Sequence, residues 1–194
     1  YWERYPVVHY LNTVCNNILC WGKHSKNIYQ IYTNKKIFII GKASMPDIEK
    51  VLDGITFIFQ SNKFESTNVT LFNLSNIFQN NKISVSRWFK EYNNLFYKSG
   101  KRQRRYGPLR KIVIGCTSNF LFELGFLGLQ VYVIKDSVLK NFLPDELIVD
   151  NSNLIFEKFK SIEYYPHEIW KNFIECTDQD SVARYKDIVL NSNK

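Results

Sequence analysis

The sequence is poor in the features that most quickly assign a chain to a class. It has no run of about 18 apolar residues able to span a bilayer, and no cationic stretch followed by an apolar one to mark a secretory signal. A cytoplasmic protein is therefore the expectation. The four cysteines, Cys15, Cys20, Cys116 and Cys176, show no C-x-x-C spacing, and the three histidines, His9, His24 and His167, are scattered. Neither a zinc site nor a disulfide framework is indicated. No metal or cofactor is expected, and the thiols read as small buried hydrophobes. Repeats and low-complexity linkers are also lacking. With 45% hydrophobic and 23% charged residues, the composition is that of a folded globule and excludes a largely disordered chain. There is no initiator Met; the chain opens at Tyr1 in the pattern of a domain edge, which predicts a fragment or a processed product.

What is present is an alternation of short Ile-, Val- and Phe-rich runs with longer amphipathic stretches. Such alternation is the pattern of β-α-β units around a parallel sheet. Strands are predicted at about Ile18 to Trp21, Ile37 to Gly41, Ile55 to Gln60, Ile83 to Ser86, Lys111 to Gly115, Gln130 to Ile134 and Leu147 to Val149. One helix is predicted from Pro46 with Ser44 as its cap and Ile48, Val51 and Leu52 as its buried stripe. Another opens at Ser66 or Thr67, with Val69, Leu71, Phe72, Leu74 and Phe78 facing the sheet. The stretches Pro166 to Ile174 and Asp178 to Leu190 read as terminal helices packing back on the sheet. At 194 residues the expectation is a single α/β domain, a Rossmann-like parallel sheet with helices on both faces.

Charge is concentrated in one place. Of 26 Lys and Arg residues, ten lie between Lys82 and Lys111 beside a single acid, Glu91, which leaves 16 bases against 17 acids elsewhere. The basic balance therefore reports one segment rather than a surface that covers the protein. Its densest part, KRQRRY from Lys101 to Tyr106, contains Lys101, Arg102, Arg104 and Arg105 and is flanked by Gly100, Gly107 and Pro108. It reads as a loop. A solvated loop, a clamp for a donor pyrophosphate, a contact with anionic lipid or a lipid-linked acceptor, and a nucleic-acid site all fit it. Nucleic acid ranks last, because no helix-turn-helix, RNP or zinc pattern accompanies the run.

The most informative stretch is KIVIGCTSNFLFELGFLGLQVYVIK, Lys111 to Lys135. It reads as a buried strand, a small polar turn, a helix, a Gly-containing turn and a second strand. The turn places Cys116, Thr117, Ser118 and Asn119 at a helix N-terminus, where unpaired amides and the positive dipole end favour phosphate. Glu123 follows about one and a half turns on. It is placed to accept hydrogen bonds from ribose hydroxyls or to form a structural ion pair. Thr117 and Ser118 equally suit a plain helix cap. At the same predicted sheet edge, Gln60 and Ser61 end the third strand. Gly22 follows the first strand, where glycine permits close backbone approach; Lys23 and His24 begin the next helix, either toward a ligand or toward solvent.

This arrangement resembles the C-terminal nucleotide-binding domain of GT-B glycosyltransferases, and Cys116-Thr117-Ser118 resembles the serine motif of GT-B bacterial sialyltransferases and capsule transferases. LCWGKHSKNIYQIY with IFIIGKA is similar to the opening of that domain, and ITFIFQSNKFES to its third strand and donor-facing loop. The resemblance covers roughly Ile18 to Asn141. It implies half of a GT-B fold, with the N-terminal half absent from the chain. The implied activity is metal-independent transfer of a sugar from a CMP- or UDP-linked donor to a glycan or lipid-linked acceptor in capsule or lipooligosaccharide synthesis, at the inner face of a bacterial plasma membrane. The catalytic base, which the family usually takes from its N-terminal domain, is unassigned. The His-Pro pair of the sialyltransferase-like members is replaced here by ISVSRWFKEY, in which Arg87 is the candidate substitute for the lost phosphate contact. Two other readings stand beside this one: a non-catalytic nucleotide-binding α/β domain, and a nucleic-acid-binding protein using residues 101–106.

Overall fold

A computed structural model describes residues 17–48, 50–60, 64–89, 108–149 and 165–191. They fall into two compact units, one of residues 48–167 and one assembled from 1–47 and 168–194.

The 48–167 unit contains a five-stranded parallel sheet with the order β4-β3-β5-β6-β7. Its strands are β3 (Val51–Phe59), β4 (Val85–Phe89), β5 (Leu109–Gly115), β6 (Gln130–Ile134) and β7 (Ile148–Val149). Every residue from Ile55 to Gln60 is buried, as befits a central parallel strand covered on both sides. Helix α2 (Glu65–Asn80) joins β3 to β4, and α3 (Asn119–Phe126) joins β5 to β6. They cover opposite faces. On β4, Arg87 reaches α2 at Ser75, whereas its neighbour Trp88 stacks on Phe120 of α3 with ring centroids 5.6 Å apart, and successive strand residues point to opposite sides. The core is apolar from both directions, with Leu71, Leu74 and Phe78 from α2, Leu121 and Leu124 from α3, and Phe57, Val113, Ile114, Val131 and Val133 from the sheet all buried. Each such side chain contributes about 1.5–3 kcal/mol. The fold is the α/β, Rossmann-like one that the alternation predicts.

The strand edges of β6 are completed in two ways. Its last residues pair with β7, which is only two residues long. Further back, the Tyr165 hydroxyl accepts from the Val131 amide and donates to the Val131 carbonyl at 2.8 Å. One buried side chain thus does for Val131 what a longer strand would have done.

The discontinuous unit holds β1 (Asn17–Cys20), α1 (Lys23–Tyr32) and β2 (Lys36–Ile39), with β1 and β2 paired in parallel. It also holds α4 (Asp178–Asn191), and Trp170, Phe173 and Ile174 are buried. The two pieces of chain are joined through backbone: Lys42 N–H donates to Cys176 O at 2.8 Å and Asp178 N–H to Lys42 O at 3.1 Å. Gly41 beside them has φ +78°, and a Cβ there would lie 2.1 Å from Cys176 O. Only glycine fits.

Three expectations need correction. No helix follows Pro46: residues 44–48 are irregular, and Val51 and Leu52 already belong to β3, which continues through a register shift between Leu52 and Ile55. The β-branched run wins over the local start signal because pairing with β5 uses those backbone groups. Val69, expected to face the sheet, is 40% exposed, and Asn68 takes the buried position beside it. The terminal stretches are a 3-10 segment, His167–Asn172, and α4, and the latter belongs to the unit of the two-stranded sheet rather than that of the large one.

Candidate functional site

The order of the large sheet creates a particular place at its carboxyl edge. From β3 the chain crosses by α2 to β4 on one side; from β5 it crosses by α3 to β6 on the other. The connections therefore diverge between β3 and β5, leaving a crevice where open α/β sheets hold their ligands. Gln60 directly follows β3, and the turn Cys116-Thr117-Ser118 directly follows β5. Thr117 Oγ1 lies 3.3 Å from Gln60 Oε1 and donates to it across this line.

Each lip is held from behind. On the β3 side the Asn68 side chain spans the backbone of Gln60: its Oδ1 accepts from Gln60 N–H at 2.8 Å and its Nδ2 donates to Gln60 O at 3.2 Å. On the β5 side Ser137 Oγ donates to Cys116 O at 2.6 Å and accepts from Leu139 N–H at 3.0 Å. Asn68 and Ser137 are buried. Neither was singled out from sequence, although Asn68 left a trace, for it is a polar residue on the helical stripe that also contains Leu71, Ser75 and Phe78.

Ser118 is the N-cap of α3, with Oγ accepting from Phe120 N–H at 3.3 Å. A helix N-terminus starts with four amides that have no partner inside the helix, and the cap engages one. Asn119 is exposed at the first helical position, while Thr117, Ser118 and Glu123 are half-buried. Thr117, Ser118 and Asn119, and Gln60 through its bond with Thr117, thus lie at the carboxyl ends of β5 and β3, with Glu123 further along the same helix. Burial pushes the Cys116 thiol pKa upward, against hydrogen bonds from Ser137 and Thr117.

The remaining candidates have other engagements. Arg87 gives Nε to Ser75 Oγ at 2.8 Å and a terminal nitrogen to Asn76 and Gln79 at 2.8 and 3.0 Å, and lies over the Phe72 ring. All four partners are on α2, so the guanidinium clamps that helix to β4 instead of replacing a phosphate contact. Gly22, Lys23 and His24 lie in the discontinuous unit. A Cβ at Gly22 would meet Asn172 O and Phe173 O at 2.6 Å, so the backbone that approaches this glycine closely is the chain's own. His24 packs on Phe173 with ring centroids 4.6 Å apart, and burial lowers its pKa. Lys23 is exposed. Ser61, Lys101, Arg102, Arg104 and Arg105 lie outside the described residues.

Among the described residues, no group of three or more His, Cys, Asp or Glu side chains could hold a metal ion, and no helix is long and apolar enough to cross a membrane. No protein-family model, curated protein or solved structure matches the chain.

Proposed function

We propose that the 48–167 unit binds a nucleotide in the β3–β5 crevice and serves as the donor-binding half of a nucleotide-sugar-dependent glycosyltransferase of bacterial surface-glycan synthesis. The observation that carries the first part is the coincidence of two independent features: the topological switch point, and a small polar turn at the N-terminus of α3 in that same place. The sheet order could have put the crevice elsewhere. The glycosyltransferase part rests on the resemblance of the strand, turn and Glu123-bearing helix to the GT-B nucleotide domain.

In this reading the amides around Thr117, Ser118 and Asn119 face the phosphate, and their dipoles stabilise the negative charge that grows on it as the sugar leaves. Glu123 accepts hydrogen bonds from the ribose hydroxyls. The acceptor, a glycan or a lipid-linked sugar at the inner face of the membrane, is activated by a base that is not among the residues assigned here. The basic residues 101–105 contribute charge toward an anionic donor or acceptor.

The test is a thermal-shift screen with UDP, GDP, CMP, CDP and TDP. A ligand at 100 times its Kd stabilises the native state by about 2.7 kcal/mol, which moves the midpoint of a domain this size by several degrees. No shift with any of the five would refute the nucleotide reading. Binding without glycosyl transfer to any acceptor in the complete enzyme assembly would favour a non-catalytic nucleotide-binding domain.

A further inference from the structure

Eight glycines occur in the chain, and Gly54 alone follows an aspartate or an asparagine. Asp53 and Gly54 sit where β3 slips against β5: Leu52 is opposite Arg110 and Ile55 is opposite Ile112, so the two residues share one partner position, Lys111. Such a bulge leaves a residue out of the regular ladder. Glycine is forced at position 54, since φ is +117° and a Cβ would lie 2.2 Å from Ser84 O. Packing makes no such demand at Asp53, whose side chain is 88% exposed and meets Lys111 Nζ at 2.7 Å.

An aspartate followed by glycine can rearrange its backbone without a catalyst. The glycine nitrogen attacks the side-chain carboxyl carbon, and the amide proton leaves with the carboxyl hydroxyl as water, closing a five-membered imide. Water then adds back at either imide carbonyl. Opening at one restores aspartate; opening at the other leaves isoaspartate, in which the main chain runs through the former side chain. Glycine favours closure because no Cβ shields its nitrogen. Two further conditions apply: the carboxyl must be protonated for its hydroxyl to leave, and the aspartate carbonyl must turn to bring the nitrogen onto Cγ.

We propose that Asp53–Gly54 is a site of spontaneous isoaspartate formation, and that Lys111 and Arg110 are the restraints that slow it in the folded protein. Lys111 acts on the first condition. Its ammonium favours the ionised carboxylate, which has no hydroxyl to lose, and holds the Asp53 pKa below the ordinary value. Arg110 acts on the second. Its Nη1 donates to Asp53 O, and its Nε donates to Ser86 Oγ at 2.9 Å, so the carbonyl that has to turn is tied through the guanidinium to β4. The bulge thus exposes the reactive pair, and the neighbouring strand residues hold it in the unreactive form. Once formed, isoaspartate adds a methylene to the main chain between Leu52 and Gly54, in the place where β3 keeps its register with β5.

The experiment keeps the full chain for weeks at neutral pH and physiological temperature in water enriched in heavy oxygen, so that each passage through the imide leaves a heavy oxygen behind. After digestion in ordinary water, the tryptic peptide Val51–Lys63 is sequenced by mass spectrometry, and its isoaspartate is measured by methylation with an isoaspartyl methyltransferase. In the folded chain, label and isoaspartate should accumulate at Asp53 ahead of every other aspartate. Urea-unfolded chain should be faster still. Lys111→Met, a change at an exposed ion pair that leaves the fold intact by circular dichroism, should react about two- to fivefold faster than wild type. Asp53→Glu, whose imide would be six-membered, should take up no label at that position. Label at Asp53 no greater than at the other aspartates of the folded chain, or equal label in Asp53→Glu, overturns the site. Equal rates in wild type and Lys111→Met overturn the restraint assigned to Lys111.

Discussion

Ser118 caps α3 and also sits at the mouth of the crevice, so one substitution reads out two roles. Ser118→Ala removes the bond to Phe120 N–H and should cost about 1 kcal/mol of stability in a urea melt. In titrations it should weaken nucleotides while leaving the free nucleoside almost unaffected, because only the phosphate reaches the helix end. Equal losses for both ligands would place the phosphate elsewhere. Glu123→Gln should cost about 1.5–3 kcal/mol of nucleotide affinity with little change in melting temperature; a lowered melting temperature with unchanged affinity would make Glu123 a structural ion pair. His24 gives a pH dependence. Burial against Phe173 lowers its pKa below the ordinary 6.5, so the unfolded chain takes up a proton that the native one resists. Its contribution is complete above about pH 6.5 and is lost as the pH falls through the lowered value. His24→Phe, which keeps a ring on Phe173, should flatten the decline in melting temperature as the pH falls below about 6.5. Thr117 and Ser118 were legible because small polar residues after an apolar run mark a strand-to-helix turn. Arg87 was not, because the sequence gives its charge but ends the predicted strand one residue before it, at Ser86, and gives no sign of the three side-chain acceptors that α2 presents to it.

At the scale of elements, the strands were the legible part. Gln130 to Ile134 is a strand with the bounds its sequence predicts, since a short run of Val, Tyr and Ile between turn residues has few other uses. The stretch after Pro46 was misread because cap and proline signals are local, whereas the choice between helix and strand was made by pairing of Val51 and Leu52 with β5 residues far along the chain. Long-range completion of β6 was invisible for the same reason. No periodicity announces that Tyr165 will bond both backbone groups of Val131. Tyr165→Phe keeps the ring packed against Tyr132 but leaves a buried amide and carbonyl without the hydroxyl. It should destabilise the protein by roughly 1–3 kcal/mol, measurable as a lower urea midpoint at constant slope. A change below a few tenths of a kcal/mol would mean that water takes over both bonds.

At the scale of the whole molecule, the sequence predicted one domain where the contacts divide the chain into two units of different connectivity. The larger is a single stretch, residues 48–167, with its own sheet and its own buried residues from both helices. Expressed alone, it should melt cooperatively by far-UV circular dichroism and keep whatever nucleotide affinity the full chain has, since Gln60, Thr117, Ser118, Asn119 and Glu123 all lie within it. A molten, non-cooperative fragment would show that the division into units is one of contacts and not of stability. The small polar turn before α3 was legible in the sequence, but its place beside the end of β3 needed the strand order, which depends on which way each connection crosses.

The joining of Lys42 to Cys176 and of Asp178 to Lys42 has a consequence for how the protein is made. A ribosome delivers residues in order, so the strands at Asn17–Cys20 and Lys36–Ile39 emerge early yet wait for their closing partner until more than a hundred further residues have followed. Throughout that interval the sheet of residues 48–167 is being completed, and the earlier pair of strands remains open at the place where Thr177 will bridge to Lys42. Of the two units, the one whose first strands come earlier along the chain is the one that closes later, and those strands stay unfinished until residues 176–178 arrive.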